Sequence, residues 1–228
     1  MRTAGTGCMT PAASVDFIRA NTVVRSPPHV PEIRLHLADE AHGLWQKTEI
    51  ELDAVGLPPP FWAFAWAGGQ GLARYVLDHQ QNVAGRTVVD FAAGSGLVAI
   101  AAALAGAESV TAVDTDPFCA EAIRLNADLN GVAIGFDETE RIGGAMAADV
   151  LLAGDVFFDR ELAARLTPWF DHLARDGMTV LVGDPGRAYL PGDRLDCLAT
   201  YTVPVTRALE DAEIKRVSVS QWRRPAWN

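Results

Sequence analysis

The segment from Val88 to Gly96 constrains the fold of this 228-residue chain more than any other. Its apolar residues predict a buried strand with Asp90 near its end, and Gly94 and Gly96 form a turn that opens a helix at Leu97. Glycines in such a turn let backbone amides approach a ligand, and the helix presents its positive amino end to the same ligand. We therefore expect a ligand site between this strand and this helix.

A second carboxylate, Asp114, follows the next apolar strand pattern, and its two acceptor oxygens suit the hydroxyls of a ribose. Together the two segments predict a nucleoside-cofactor site. The spacing from Gly94 to Ala99 also satisfies the dinucleotide pattern G-x-G-x-x-A, so a nicotinamide-dependent oxidoreductase is one alternative. Asp90 argues against it, because a pyrophosphate nearby would meet an uncompensated negative charge, whereas a cationic amino-acid cofactor would be attracted.

Strand and helix patterns alternate from residue 61 onward and include a helix at about 70–80 and a strand near 132–136. This alternation predicts an α/β fold with a mostly parallel sheet and helices on both faces. Two strand patterns near the C terminus, at about 197–205 and 213–222, have no helix between them and predict an antiparallel hairpin at one edge. The first 60 residues carry a short helical pattern, a prolyl turn and an alternating segment at 32–37. We therefore expect an N-terminal extension (1–60) that covers the site, followed by one catalytic domain (61–228).

Net charge limits the choice of partner. The formal charge of −10 disfavours a nucleic acid, because phosphate binding needs a cationic surface. The charge fits a basic protein substrate, although solubility alone explains it equally well. The apolar stretch 88–107 is interrupted by Asp90 and the glycine turn, so it is better explained as a strand–turn–helix core than as a membrane span.

Cys8, Cys119 and Cys197 are odd in number and widely spaced, which is not typical of a disulfide framework or a zinc site. The five histidines show no ligand spacing either, so we expect no metal site. The first ten residues lack the apolar segment of a signal peptide. These observations favour a reducing compartment, the cytoplasm.

The segment from Asp90 to Gly96, taken with Val113-Asp114, resembles the first two motifs of class I S-adenosylmethionine (SAM)-dependent methyltransferases. Three further segments narrow the resemblance: 61–70 (FWAFAWAGGQ), 126–131 (NADLNG) and 154–159 (GDVFFD). This combination resembles the seven-strand protein-lysine methyltransferases with an Asp/Glu-x-x-Tyr/Phe motif, and among them the enzymes that methylate the β subunit of the electron-transfer flavoprotein. The resemblance implies a Rossmann-like seven-stranded sheet with an antiparallel C-terminal hairpin, SAM as cofactor and S-adenosyl-L-homocysteine as product.

The resemblance also implies roles for individual residues. Asp155 receives the substrate lysine, and Phe158 forms the wall of its channel. Asp90 interacts with the amino group of SAM, and Asp114 accepts hydrogen bonds from the ribose hydroxyls. Asp137 or Glu138 accepts a hydrogen bond from the adenine amino group. The full set of predicted cofactor-binding residues is Trp66, Gly68, Asp90, Ala92, Gly94, Gly96, Asp114 and Asp137.

Structural roles compete with several of these assignments. An aspartate at the end of a strand, such as Asp90, can simply stabilise the turn that follows. Trp66 can simply be part of the hydrophobic core. Asp116 and Asp159 are better candidates for helix caps than Asp114 and Asp155. The aromatic residues of segment 61–66 are more typical of a core or an interface than of a base-stacking platform, and Asn126 and Asn130 are more typical of a helix end than of a substrate contact.

The implied reaction is an in-line attack of a neutral lysine amine on the methyl carbon of SAM, with no metal. A free lysine has a pKa near 10.4, so holding its amine neutral at pH 7 costs about 4.6 kcal/mol. Asp155 would orient the amine and accept or relay its proton, while Phe157 and Phe158 would exclude water. These effects oppose each other, because a carboxylate raises the pKa of a nearby amine. Positioning is therefore the larger expected contribution to catalysis.

Other functions share the same cofactor residues. They include methylation of a small amine such as nicotinamide and methylation of a ribosomal protein. The N-P-P-Tyr/Phe signature of amide-nitrogen methyltransferases is replaced here by Gly154-Asp-Val-Phe157, which disfavours glutamine methylation. The nicotinamide-dependent oxidoreductase and a non-catalytic interaction module are the alternatives from other classes.

Overall fold

The computed structural model describes residues 11–38, 59–210 and 212–225. Its strands are β1 (Thr22–Arg25), β2 (Leu35–Ala38), β3 (Thr87–Phe91), β4 (Ser109–Val113), β5 (Gly135–Asp137), β6 (Val150–Gly154), β7 (Thr179–Asp184), β8 (Leu195–Pro204) and β9 (Ile214–Trp222). Its α-helices are α1 (Pro11–Asn21), α2 (Ala67–Asp78), α3 (Leu97–Leu104), α4 (Pro117–Asn130), α5 (Arg160–Arg175) and α6 (Arg207–Glu210). Short 3₁₀ turns lie at Phe61–Ala63, Gln80–Asn82 and Gly192–Arg194.

Seven strands form one sheet in the order β5-β4-β3-β6-β7-β9-β8. Strands β3 to β7 are parallel to one another, and β9 is antiparallel to both β7 and β8. The predicted α/β class, seven-stranded sheet and C-terminal hairpin are therefore confirmed. Because β3, β4, β6 and β7 run in the same direction, their carboxyl ends meet at one edge of the sheet, where Asp90, Asp114, Asp155 and Asp184 lie.

The sheet carries an apolar core on each face. Neighbouring residues of β3 point to opposite faces, as the pleat requires: Val88 joins a core with α2, α3 and α4, and Val89 joins a core with α5. Leu152 and Leu151 of β6 divide in the same way. Apolar burial on both faces explains why these strands are continuous apolar runs in the sequence.

Local capping sets the ends of the helices next to the site. Asp116 accepts a hydrogen bond from the Phe118 N–H (2.9 Å) at the start of α4, and Asp159 accepts one from the Leu162 N–H (2.9 Å) at the start of α5. Helix α4 ends where Gly131 adopts a left-handed conformation (φ 65°). The prediction that Asp116 and Asp159 cap these helices is confirmed.

Two predicted boundaries were wrong. The helix pattern placed the start of α2 at Gln70, whereas the helix begins at Ala67. Strand β5 begins at Gly135 and not near Val132, because the chain needs several residues to return from the end of α4. The earlier start of α2 places Gly68 and Gly69 in its first turn, directly against the site.

The described N-terminal residues pack on the same core as the sheet. Strands β1 and β2 pair antiparallel, and the alternating pattern at 32–37 overlaps β2. Ile18, Ile33 and Leu35 are fully buried in the core that also contains Trp62. Much of the extension predicted for residues 1–60 lies outside the described residues, and the division at residue 60 stays a prediction.

Asn126 ties this N-terminal segment to the glycine turn. Its side chain accepts the His36 N–H (2.7 Å) and donates to the Ser95 carbonyl (2.8 Å). Asn130 makes a parallel pair of bonds with the backbone of Arg34. Asn130 does end α4, as predicted, but Asn126 lies one turn earlier and has this bridging role instead.

Among the described helices, none combines the length and the apolar character needed to cross a bilayer.

Candidate active site

A cavity of ≈ 450 Å³ opens at the carboxyl edge of β3, β4 and β6. Seven of the ten predicted site residues line it: Trp66, Asp90, Ala92, Gly94, Asp114, Asp155 and Phe158. The other three, Gly68, Gly96 and Asp137, lie outside its lining. The predicted strand-end location of the site therefore coincides with a real cavity.

The turn between β3 and α3 has three residues with positive φ: Ala92 (54°), Gly94 (52°) and Gly96 (77°). Asp114 locks this turn, because one of its carboxylate oxygens accepts the Gly94 N–H (2.9 Å) and the other accepts the Asp116 N–H (3.0 Å). The Gly94 amide, which we expected to approach a ligand, is therefore bonded within the protein. The Cys119 thiol also bonds to the Asp114 carboxylate, and because a carboxylate has about four acceptor positions, Asp114 retains acceptor capacity for a hydroxyl.

Gly96 has a structural role at the start of α3 and does not line the cavity. It is the N-cap of α3, and a Cβ at this position would lie 3.0 Å from Ile123 Cγ1. Its left-handed φ also disfavours any residue with a side chain. The glycine requirement at residue 96 thus follows from how α3 starts and how closely α4 packs.

Asp90 is 2% exposed at the base of the cavity. Its carboxylate accepts the Ala99 N–H (2.8 Å) in the first turn of α3. Burial is the main reason that the pKa of Asp90 rises to about 8, and the nearby charge of Asp114 raises it further against the effect of the Ala99 bond. Asp90 is therefore mostly protonated at pH 7 until a cation comes close to it.

Acidic groups dominate the polar lining of the cavity. Besides Asp90 and Asp114, it includes Asp116, whose pKa burial raises to about 7, and Asp155. Among the described lining residues, Arg187 is the only cation. Such a lining fits a ligand with an ammonium and a sulfonium group, and it opposes the pyrophosphate of a dinucleotide.

Asp155 follows β6 directly and has a positive φ of 59°, a strained conformation for a residue other than glycine. One carboxylate oxygen accepts the Gly69 N–H (2.8 Å), and the other accepts Arg187 Nε (3.1 Å) and Nη2 (2.6 Å). Its own N–H donates to the Gly183 carbonyl (3.0 Å). These contacts hold the side chain in one position at the wall of the cavity.

Burial raises the pKa of Asp155 to about 6, while the charge of Arg187 and the hydrogen bonds from Arg187 and Gly69 lower it. The carboxyl group is therefore mostly ionised at pH 7. An ionised, buried carboxylate at the cavity wall can accept hydrogen bonds from an incoming amine.

Gly68 has a packing role in the structure. A Cβ on Gly68 would collide with the Gly183 carbonyl oxygen and lie 2.6 Å from Asp155 Oδ2. Helix α2 therefore crosses β7 in direct backbone contact, which only glycine permits. Its neighbour Gly69 lines the cavity instead.

The aromatic residues of segment 61–66 divide into two groups. Trp62 is buried and stacks on Phe118 with ring centroids 5.6 Å apart. Phe61 contacts both Trp66 and Phe158, each at 5.7 Å between centroids, at the mouth of the cavity. Phe158 is 50% exposed, so part of its ring is free to contact a substrate.

Asp137 is paired with Arg141 and accepts the Thr139 N–H (2.9 Å). Its place outside the lining leaves no observed contact that supports an adenine role, whereas Thr115 and Asp116 do line the cavity.

Arg187 lines the cavity as well, but the sequence did not lead us to predict it as a site residue. The signal for it was its place just after β7, at the same sheet edge.

Comparisons with known proteins agree with this geometry. A family model described as ribosomal protein L11 methyltransferase matches residues 72–157. An electron transfer flavoprotein beta subunit lysine methyltransferase from Xenopus laevis is 42% identical over 175 residues, which cover 75% of this chain and 70% of that protein. The homologue from Caenorhabditis elegans is 37% identical over 192 residues, which cover 77% and 78% of the two chains. The chain belongs to this lysine methyltransferase family.

One solved structure illustrates the shared fold. Magnesium protoporphyrin IX methyltransferase from Synechocystis, determined with bound SAM, matches with a TM-score of 0.51 at 16% identity and covers 81% of this chain and 98% of that one. The relatives, which span most of the chain, show that it is a methyltransferase, for which SAM is the cofactor, so the oxidoreductase alternative is wrong. The acidic cavity at the strand ends fits that cofactor.

Proposed function

We propose that this enzyme methylates one or more lysines of the electron-transfer flavoprotein β subunit. The proposal is supported by its relatives, which are electron transfer flavoprotein beta subunit lysine methyltransferases and match most of the chain. The single observation that carries it is the position of Asp155. A buried carboxylate, fixed by three hydrogen bonds, stands at the cavity wall beside exposed aromatic rings.

The cofactor would occupy the half of the cavity under the glycine turn. SAM supplies a methyl group on a positively charged sulfur, which makes that carbon an electrophile for an amine. Asp90 would meet the ammonium group of its amino-acid portion, and Asp114 would accept hydrogen bonds from ribose hydroxyls. Trp66, at the cavity mouth, would cover the methionine end.

The substrate lysine would enter past Phe61 and Phe158 toward Asp155. The two rings would pack against its methylene chain and exclude water. Asp155 Oδ2 accepts one described hydrogen bond, from Gly69, and so retains a lone pair for a hydrogen of the amine. The carboxylate would orient the amine and receive or relay its proton.

The chemistry of the cavity favours a protein over a nucleic acid. The net charge of −10 would repel a phosphate backbone, and the described cavity lining offers one cation. A cytoplasmic location remains our prediction, and fractionation of cells that express the tagged chain would check it.

The test is a methyl-transfer assay with labelled SAM and three acceptors in parallel: recombinant β subunit, ribosomal protein L11 and nicotinamide. We expect label in the β subunit, and mass spectrometry should place it on lysine. A β subunit in which those lysines are replaced by arginine is the matched control and should stay unlabelled. Label in L11 or nicotinamide with none in the β subunit would refute the proposed substrate.

A further inference from the structure

The guanidinium of Arg187 lies between two buried carboxylates. It donates from Nε and Nη2 to Asp155 Oδ1 (3.1 and 2.6 Å), and from Nη1 and Nη2 to the two oxygens of Glu210 (3.1 and 3.0 Å). The Arg187 side chain is 20% exposed, that of Asp155 is 10% exposed and that of Glu210 is 1% exposed. Arginine alone among side chains can engage two carboxylates with a planar fork of five N–H groups.

Further contacts fix Arg187 and its partners. Glu210 also accepts the Ala67 N–H (3.3 Å) and lies 3.9 Å from Lys215 Nζ. The backbone N–H of Arg187 donates to Asp184 Oδ1 (2.7 Å), and its guanidinium carbon lies 5.9 Å from the centre of the Trp66 ring. The guanidinium is thus anchored on the side away from Asp155, so its contact with Asp155 does not depend on the presence of a substrate.

The contact between Arg187 and Asp155 reduces a conflict in the proposed mechanism: a carboxylate that orients the lysine amine also raises the pKa of that amine. An isolated carboxylate beside a lysine stabilises the ammonium form, which cannot attack a methyl group. A guanidinium bonded to the same carboxylate cancels most of that effect, and Lys215 offsets Glu210 in the same way. The amine therefore meets an oriented acceptor with little net negative charge.

We propose that Arg187, held by Glu210, is a positioning residue for methyl transfer, because it fixes the Asp155 carboxylate and offsets its charge so that the substrate lysine reacts as a neutral amine. The inference rests on the proposed lysine substrate. In the transfer the nitrogen lone pair forms the N–C bond while the C–S bond breaks and its electron pair stays on sulfur. The proton that the lysine gives up beforehand passes to Asp155 or to solvent.

Removal of the Arg187 charge has two effects with the same sign. The pKa of Asp155 rises above about 6, because burial raises it and one of the causes that lowers it is lost. The pKa of the substrate amine rises as well, because the ionised carboxylate is no longer offset. The charged groups around Asp155 are Arg187, Glu210 beyond it, Asp184 at the end of β7 and Lys215 on β9. Both effects shift the midpoint of the pH profile of kcat to a higher pH.

The experiment compares the wild type with Arg187→Met, Arg187→Gln and Arg187→Lys. For each, kcat and KM for the β subunit are measured from about pH 6 to about pH 10, and the dissociation constant of SAM is measured by calorimetry. We expect Arg187→Met and Arg187→Gln to lower kcat about 100-fold at pH 7 and to move the midpoint of its pH profile up by about one to two units. Part of the loss should be recovered at high pH.

Arg187→Lys keeps the charge but loses the fork, so its midpoint should stay near that of the wild type while kcat falls at every pH. A merely structural role predicts a different result: all three variants would lose kcat equally at every pH with an unchanged midpoint. That outcome would overturn the proposal. Arg187→Gln keeps two N–H donors for the buried carboxylates, so it is the neutral variant to use if Arg187→Met does not fold.

A second measurement is independent of the substrate. Carbon-13 NMR of aspartate-labelled protein, with the Asp155 signal assigned by its loss in Asp155→Asn, reports the titration of this carboxyl group directly. Its midpoint should be higher in Arg187→Gln than in the wild type, and an unchanged midpoint would refute the role of Arg187. Failure of the wild type to methylate the β subunit would instead refute the proposed substrate.

Discussion

Asp90 lies near the carboxyl end of β3 and Asp155 directly follows the neighbouring parallel strand β6, and their surroundings give them different charges. Each is buried, and each accepts the backbone N–H of the third residue of a helix at 2.8 Å: Ala99 in α3 for Asp90 and Gly69 in α2 for Asp155. Asp155 has in addition the guanidinium of Arg187. Among the described contacts of Asp90 there is no cation.

The consequence is a pKa of about 8 for Asp90 and about 6 for Asp155. At pH 7 the first group is mostly neutral and the second mostly ionised. Asp90 would therefore ionise only when a cationic cofactor binds beside it, whereas Asp155 is already ionised in the absence of substrate. In the proposed mechanism, cofactor binding and amine orientation are divided between two carboxylates, and only one of them has an internal cation beside it.

The largest expected effect follows from removing the charge of Asp155. Asp155→Asn keeps an oxygen for the Gly69 N–H but cannot accept a proton, so kcat should fall by about 10³-fold. The affinity for SAM should change by less than about threefold, because the cofactor half of the cavity is intact. Rapid-quench kinetics and calorimetry measure the two quantities.

Asp193→Asn is a matched control, since the Asp193 side chain is 81% exposed and lies outside the cavity. It should have wild-type activity. Wild-type turnover in Asp155→Asn would remove this carboxylate from the reaction and leave Asp90 as the one functional member of the pair.

The second prediction concerns the helix that supports Asp155. Gly68→Ala should reduce the free energy of unfolding by about 3 kcal/mol, because the new Cβ would collide with the Gly183 carbonyl and press on Asp155 Oδ2. Gly69→Ala is the matched control, since its Cβ would find its nearest atom, Val98 Cγ2, at 3.9 Å. Urea denaturation should separate the two variants, and equal stabilities would contradict the close crossing of α2 and β7.

The third prediction tests the neutral state of Asp90. Its pKa in the folded state lies above the value of about 3.9 expected in the unfolded chain, so ionisation destabilises the fold as the pH rises from about 4 to about 8. Asp90→Asn cannot ionise and should gain stability relative to the wild type as the pH rises, by up to about 5 kcal/mol at pH 8, with no advantage at pH 4. Thermal unfolding at the two pH values measures this difference.

The same variant should bind SAM about tenfold more weakly at pH 8, because an amide does not supply the negative charge that the cation induces in Asp90. Comparing the two proteins in the same pH series cancels the titration of the cofactor itself. A wild-type affinity in Asp90→Asn would contradict the contact with the ammonium group.

Local signals in the sequence predicted the strand ends and caps well. Asp90 could be placed because it lies near the end of an apolar strand, and Asp114 and Asp155 because each follows one directly. The caps Asp116 and Asp159 depend only on the next few residues. The partners of Asp155 could not be placed in this way. Arg187 lies 32 residues away, and its contact requires β7 to pair with β6.

The bridging role of Asn126 could not be predicted either, because its partners are distant in the sequence. Its two partners, His36 and Ser95, lie 90 and 31 residues away and meet only after β2 has packed on α4. The start of α2 was misplaced because glycines are poor helix formers, and the tertiary contact that requires Gly68 has no local signature.

The smallest effect is expected at Asp137, where the sequence predicted an adenine contact. Asp137 lies outside the cavity lining, and its pKa is lowered by hydrogen bonds from Thr139 and Arg141. Asp137→Asn should therefore change the dissociation constant of SAM by less than about threefold, whereas Asp114→Asn, which weakens the bond to the Gly94 N–H, should raise it by about tenfold or more. Calorimetry with both variants decides between the two carboxylates. A large loss at Asp137 would mean that the adenine reaches beyond the observed cavity to the end of β5.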